Sequence, residues 1–252
     1  MATRVYLLDN GTLELDEIFM TWNHGHGSIR FPVYAILIDH PDAKILLDTG
    51  FTKEWVDRKL PFEKPQQSEE QTIPAQLAKV GLTPEDIDIV VNSHLHFDHC
   101  CGNMLFPHAK FVMSKSELRH AFVPDPWERL GYDRDLVDMP GANVELLDLN
   151  GGDWEVVRGL TLFHTPGHSS GHLSAMITMG SQAPMIFPID VCWLKKNLEQ
   201  KVLMGLHSDP LELLDSMMRI QNLALRTGGT IFYPHDPAEY ETYKKAPDFY
   251  EG

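Results

Sequence analysis

The chain is short of cysteine, short of basic residues and without a long apolar run, and each shortage closes off a class of function. Its three cysteines, Cys100, Cys101 and Cys192, are an odd number without CxxC spacing. A disulfide framework is therefore not expected, and buried inert thiols in a reducing cytoplasm are. Lys and Arg number 21 against 36 Asp and Glu, for a formal net charge of −15. Phosphate binding draws on clustered basic side chains, so neither nucleic acid nor an anionic membrane is an expected partner. No apolar run approaches the roughly 20 residues of a membrane span. The opening stretch around Val5-Tyr6-Leu7-Leu8-Asp9 reads as a strand, not as the apolar core of a signal peptide.

What remains is an ordinary globular composition, 43% hydrophobic and 23% charged over 252 residues. Apolar runs with strand character recur at 5–8, 33–38, 45–48, 87–92, 110–113, 144–149, 160–164, 173–178, 185–189 and 230–233. Several are apolar on successive positions, as in strands covered on both faces. Helices are expected between them, at 73–80, 116–122 and 210–227. The last is the best defined. Asp209 can cap it, Pro210 suits the first helical position, Glu212 completes a capping box and Gly228 ends it. Its Leu213, Met217, Ile220 and Ala224 share one face and are expected to pack on a sheet. Strands interspersed with helices, with no linker, predict a single α/β domain over residues 1–252, with two sheet layers and outer helices.

The chemistry is concentrated in His94-Leu95-His96-Phe97-Asp98-His99. Imidazole and carboxylate are common ligands of zinc and its first-row neighbours. Read as extended backbone, the run places His94, His96 and Asp98 on one side and His99 on another, so one loop can serve two metal ions. Further ligand types follow apolar strands: His168 in Thr165-Pro166-Gly167-His168, Asp190 after 185–189, and His235 after 230–233. Together they make seven candidate ligands: His94, His96, Asp98, His99, His168, Asp190 and His235. In Trp22-Asn23-His24-Gly25-His26-Gly27, His24 and His26 read as solvated loop side chains beside a pocket. The aromatic residues Trp22, Phe97, Phe122, Trp127 and Trp193 are candidates to line that pocket.

These motifs, with the Leu47-Asp48-Thr49-Gly50 turn, resemble the metallo-β-lactamase superfamily over nearly the whole chain. The resemblance implies an αββα four-layer sandwich. It also implies one metal on His94, His96 and His168, another on Asp98, His99 and His235, Asp190 bridging, and Asp48 orienting a ligand histidine. Within the superfamily the chain is most similar to the stand-alone lactonases, a group that includes the N-acyl-homoserine lactonases and 4-pyridoxolactonase. Val5-Tyr6-Leu7-Leu8-Asp9, Phe31-Pro32-Val33-Tyr34 and Leu60-Pro61-Phe62-Glu63-Lys64-Pro65 look closer to the latter. The resemblance breaks at Trp193, where the lactonases usually carry Tyr, and at Cys101-Gly102, where they usually carry a glycine pair.

The expected activity is therefore hydrolysis of a small lactone with two divalent ions, zinc first, with water shared by the two ions as the nucleophile. Asp98 is expected to deliver the proton to the leaving ring oxygen. Trp193 is expected either to hydrogen-bond the developing charge or to form an apolar wall. A compact aromatic lactone such as 4-pyridoxolactone is the first expectation, and an N-acyl-homoserine lactone is the alternative. A non-catalytic metal-binding protein of the same fold is a third reading, and a homo-oligomer is left open. An acyl-chain enzyme should show a long apolar channel, which makes the cavity the discriminating observation.

Overall fold

A computed structural model describes residues 2–150 and 152–252. Among these residues twelve strands form two sheets. The first contains β1 (Arg4–Asp16), β2 (Ser28–Asp39), β3 (Lys44–Leu47), β4 (Ile89–Val91), β5 (Lys110–Ser114), β6 (Asn143–Leu147) and β12 (Tyr250–Glu251), in the order β12-β1-β2-β3-β4-β5-β6. The second contains β7 (Asp153–Val157), β8 (Leu160–His164), β9 (Leu173–Ile177), β10 (Met185–Phe187) and β11 (Thr230–Ile231), in the order β11-β10-β9-β8-β7. The helices are α1 (Glu17–Met20), α2 (Lys53–Lys59), α3 (Ile73–Lys79), α4 (Phe97–Cys100), α5 (Lys115–Phe122), α6 (Arg134–Val137), α7 (Lys195–Gln200), α8 (Pro210–Thr227) and α9 (Pro237–Thr242).

The period-2 alternation of side chains explains why the strands read as unbroken apolar runs. Val5, Leu7, Ile36, Ile38, Ile45 and Leu47 of the first sheet share an inner core with Leu160, Leu162, Ala175, Ile177 and Phe187 of the second. The intervening residues Tyr6, Leu8, Ala35, Leu37 and Leu46 belong to an outer core with Trp55 and Val56 of α2 and Ile73 and Leu77 of α3. On the other side Phe163 and Ile186 join Leu213, Met217, Ile220 and Leu223 of α8. The layers thus run helix, sheet, sheet, helix, which is the αββα sandwich.

Helix α8 spans the expected residues. The Asp209 carboxylate accepts from the Leu211 and Glu212 N–H groups at 2.8 and 3.0 Å, and Gly228 closes the helix at φ +67°. Among the described residues Glu212 makes no reciprocal capping bond, so Asp209 carries the cap. Strand β1 runs beyond the expected residues 5–8 and through Asn10-Gly11, where a register shift between Asp9 and Thr12 absorbs the glycine. The edge strands β7 and β12 were not expected. Asp153-Trp154-Glu155 is exposed and carries no apolar run. The runs at 87–92 and 230–233 shorten to β4 and β11, because their ends turn into the loops that carry candidate ligands.

Replacing Asp209 by Ala should leave the N–H groups of Leu211 and Glu212 without an acceptor. The expected loss is about 1 kcal/mol, read as a fall of roughly 2–4 °C in the thermal midpoint.

Candidate metal centre

Each candidate ligand follows the C-terminal end of a strand. In the first sheet β3 and β4 run parallel and lead to Asp48 and to the His94 loop. In the second, β8 and β10 are both antiparallel to β9, and β11 is parallel to β10, so the three strands leading to His168, Asp190 and His235 point the same way. One rim of the sandwich therefore collects loops from both sheets, as strand ends in layered folds commonly do.

The HxHxDH run is not uniformly extended. His96 is the residue before helix α4, so Phe97–Cys100 is helical and Asp98 sits on a helical turn. That change of backbone divides the ligands. His94 Nε2 lies 3.1 Å from His96 Nδ1, and His168 Nε2 lies 2.9 Å from the same atom. Asp98 instead joins His99, whose Nε2 is 3.5 Å from Asp98 Oδ2, and His235, whose Nε2 is 3.8 Å from it. The Asp190 carboxylate lies between the groups. Its Oδ2 is 3.2 Å from His168 Nε2 and 3.7 Å from His94 Nε2, and its Oδ1 is 3.4 Å from both His99 Nε2 and His235 Nε2. His94, His96 and His168 form one group that could hold a metal ion, and Asp98, His99 and His235 form another.

The imidazoles are held by their other nitrogens. His168 Nδ1–H donates to the Leu206 carbonyl at 2.9 Å, His235 Nδ1–H to the Pro32 carbonyl at 2.8 Å, and His99 Nδ1–H to Asp48 Oδ2 at 2.9 Å. Asp48 also accepts from the Ser93 N–H and hydroxyl, both at 2.7 Å, which leaves the Ser93 oxygen to accept from His94 Nδ1 at 3.1 Å. These bonds assign the tautomers and turn Nε2 of His94, His99, His168 and His235 inward. The inward atoms His99 Nε2, His235 Nε2 and Asp190 Oδ1 are buried without hydrogen-bond partners. Buried polar atoms rarely stay unpaired, and nitrogen lone pairs converging at such distances need a cation between them. The donor set fits two divalent ions.

The backbone around Asp190 is strained to present it. Ile189, a β-branched residue, sits at φ +51°, and the Asp190 N–H donates to His172 Nε2 at 3.0 Å. Behind the other loops Glu117 is fully buried and accepts four bonds, from Leu95 N–H, the Tyr132 hydroxyl, the Ser169 hydroxyl and Gly171 N–H, at 2.7–3.0 Å. Gly171 packs so closely here that a Cβ would overlap the Glu117 backbone. Glu117 thus ties the His94 loop to the His168 loop.

Burial pushes the pKa of His94 well below the ordinary histidine value and that of His96 down to about 3, and it lowers His168 as well. These rings are neutral near pH 7 and free to donate lone pairs. Burial also opposes charge on His99, but Asp98, Asp190 and Asp48 outweigh it and raise its pKa well above the usual value. A cation entering that side displaces a proton.

Above the candidate ligands lies a cavity of about 350 Å³. His96, Asp98, His168, Asp190 and His235 form its floor, and Phe19, Phe31, Phe62, Trp127 and Leu206 contribute to a mostly apolar wall. Trp193 also lines it, edge-on to His168 and His235, and its indole N–H is buried without a partner. Of the other aromatic residues expected here, Phe97 lines the cavity and stacks on Trp55, whereas Trp22 packs on His207 and Phe122 borders a separate hollow. His24 and His26 are exposed on their loop, and the three cysteines are buried and unpaired. Sequence reasoning missed Glu117, Glu63, Glu128 and His207. Nothing in their local spacing marks them, because each is brought to the site by tertiary packing alone.

A model of the metallo-β-lactamase superfamily matches residues 14–176. The N-acyl homoserine lactonase AttM of Rhizobium johnstonii is 31% identical over 98% of both chains. An N-acyl homoserine lactonase of Bacillus cereus is 29% identical, again over 98% of each. Among solved structures, an N-acyl homoserine lactone hydrolase with the product N-hexanoyl-L-homoserine bound at its catalytic metal centre superposes with a TM-score of 0.88. It covers 99% of this chain and 100% of that one, at 27% identity.

Replacing Asp48 by Asn removes the charge that fixes His99 and should lower metal affinity by about 10–100-fold. A chelator competition titration checks this, and unchanged affinity would show that Asp48 does not orient the ligand.

Proposed function

This chain belongs to the metallo-β-lactamase superfamily, and we propose that within it the chain hydrolyses the ring ester of N-acyl-homoserine lactones. The coarser activity is metal-dependent lactone hydrolysis. The observation that carries the finer reading is the apolar wall of the cavity, which accommodates an acyl chain above a polar floor. The compact aromatic lactone expected first from the sequence is the less well supported substrate. The relatives named above are acyl homoserine lactonases, and an extended apolar wall has little to offer a small polar ring.

In this proposal His94, His96 and His168 would hold one divalent ion, Asp98, His99 and His235 would hold the other, and Asp190, which faces both groups, would serve the two together. Nitrogen and carboxylate donors suit zinc, which is our choice of metal. When bound, the ions supply an activated water near neutral pH and polarise the ester carbonyl. The remaining work falls to the chain. Asp98 lies on the cavity floor, where it can pass the proton from the attacking water to the ring oxygen as the C–O bond breaks. The unpartnered Trp193 N–H is a donor waiting for an acceptor, so we assign it to the substrate carbonyl oxygen and not merely to the wall. The apolar wall excludes competing water and holds the acyl group. We further propose that residues 1–252 act as one domain. A cytoplasmic location suits three thiols that remain unpaired. No helix among the described residues is long and apolar enough to cross a membrane.

Side-by-side measurement of kcat/KM on N-hexanoyl-homoserine lactone and 4-pyridoxolactone should favour the acyl lactone by at least about tenfold; the reverse order would overturn the assignment. His96→Ala should lose bound metal and activity together, by more than about 100-fold in rate. Full activity in that variant would remove the metal mechanism.

A further inference from the structure

One carboxyl group in the cavity has no part in the chemistry above. Glu63, at the end of the turn Pro61–Glu63, lines the cavity and is only 7% exposed. Its side chain makes no hydrogen bond or ion pair among the described residues; burial and the charge of Asp98 are what act on it. Those two influences push its pKa up to about 8, and in either form the carboxyl group offers an acceptor to a donor brought into the cavity. Each of the other acidic groups of the cavity has a partner for at least one of its oxygens, with Glu128 Oε1 and Asp190 Oδ1 left without a hydrogen bond. Asp98 and Asp190 face the imidazoles, and Glu128 accepts from His120 at 2.7 Å. Around Glu63 the wall is apolar, with Leu60 and Phe62 as its chain neighbours in the lining.

Glu63 lines the cavity, so a substrate that fills the cavity strips water from its carboxyl group, at a net cost unless the substrate supplies a partner. Such a group in a substrate cavity is explained when the substrate brings the partner. The lactone ring occupies the polar floor, so a wall residue meets what hangs from the ring. The first polar group hanging from the ring of an acyl-homoserine lactone is its amide. We infer that Glu63 is a specificity-determining residue that hydrogen-bonds this amide and so selects amide-linked lactones over lactones bearing a plain alkyl chain. The inference rests on the acyl-lactone reading above and deepens it. A cavity built to pair with a polar group discriminates strongly against analogues that lack it, because its own polar group is then left unpaired.

The test compares N-hexanoyl-homoserine lactone with an alkyl γ-lactone of similar length, in the wild type and in Glu63→Leu, Glu63→Met and Glu63→Gln. The two apolar variants keep the bulk of the side chain, and either one serves. The ratio of kcat/KM for the amide-linked over the alkyl lactone should fall about tenfold in them, mainly through KM on the amide substrate. Glu63→Gln, which keeps a donor and an acceptor, should retain most of the preference. An unchanged ratio in the apolar variants overturns the inference while leaving the acyl-lactone reading intact. If the wild type turns over no acyl-homoserine lactone, that reading falls and the inference falls with it.

Discussion

The Asp190 carboxylate is the constraint on which the rest of the site depends. It comes from the second sheet and stands between four imidazoles of that sheet's and the first sheet's loops, with one oxygen turned to each ligand group. Burial alone would favour its neutral form, but His99, His168 and His235 outweigh burial and hold its pKa well below the usual carboxylate range. A shared carboxylate of this kind requires the two sheets to meet at one rim with little tolerance. The sandwich provides that meeting, because the inner core fixes the sheets face to face while parallel strands deliver the loops.

Holding so many polar groups out of water is costly unless each is paired. The fold meets this with fixed acceptors behind the ligands. Asp48, Glu117 and His172, with the carbonyls of Pro32 and Leu206, take up nearly every outward-facing donor. The atoms left over point inward, at His99, His235 and Asp190. Three buried unpaired atoms gathered where cations fit, together with a positive φ at Ile189, mark a site whose stability would be completed by what it binds. A metal ion that bound only the native state would add stability that grows with the logarithm of its free concentration, so metal uptake and folding would be coupled.

The layered fold and the gathering of the seven ligand candidates were legible in the sequence for one reason. Both depend on local pattern: apolar runs mark the strands, and ligand types follow directly where the runs stop. The edge strand Asp153–Val157 was not legible, since a strand with one partner and a wet face needs no apolar run. The turn into helix at Phe97 was hidden as well, because HxHxDH has the same composition in either backbone and only the helical turn moves Asp98 to the second group. Glu117 and Glu63 were invisible for a different reason. A buried Glu and an exposed one look alike until packing decides between them.

That difference between floor and wall also explains why the substrate was read less well than the reaction. The floor is made of residues whose type and spacing carry the chemistry, so few sequences can supply it. The wall is made of Phe19, Phe31, Phe62, Trp127 and Leu206, drawn from segments far apart in the chain, and any of them alone is an ordinary apolar residue. What a wall admits depends on the shape these side chains make together and on the few polar groups set among them. Trp193 and Glu63 are such groups, one a lone donor and the other a buried acid. In the reading proposed above each would meet a polar group of the substrate, and each would then constrain the substrate more than the apolar surface around it does.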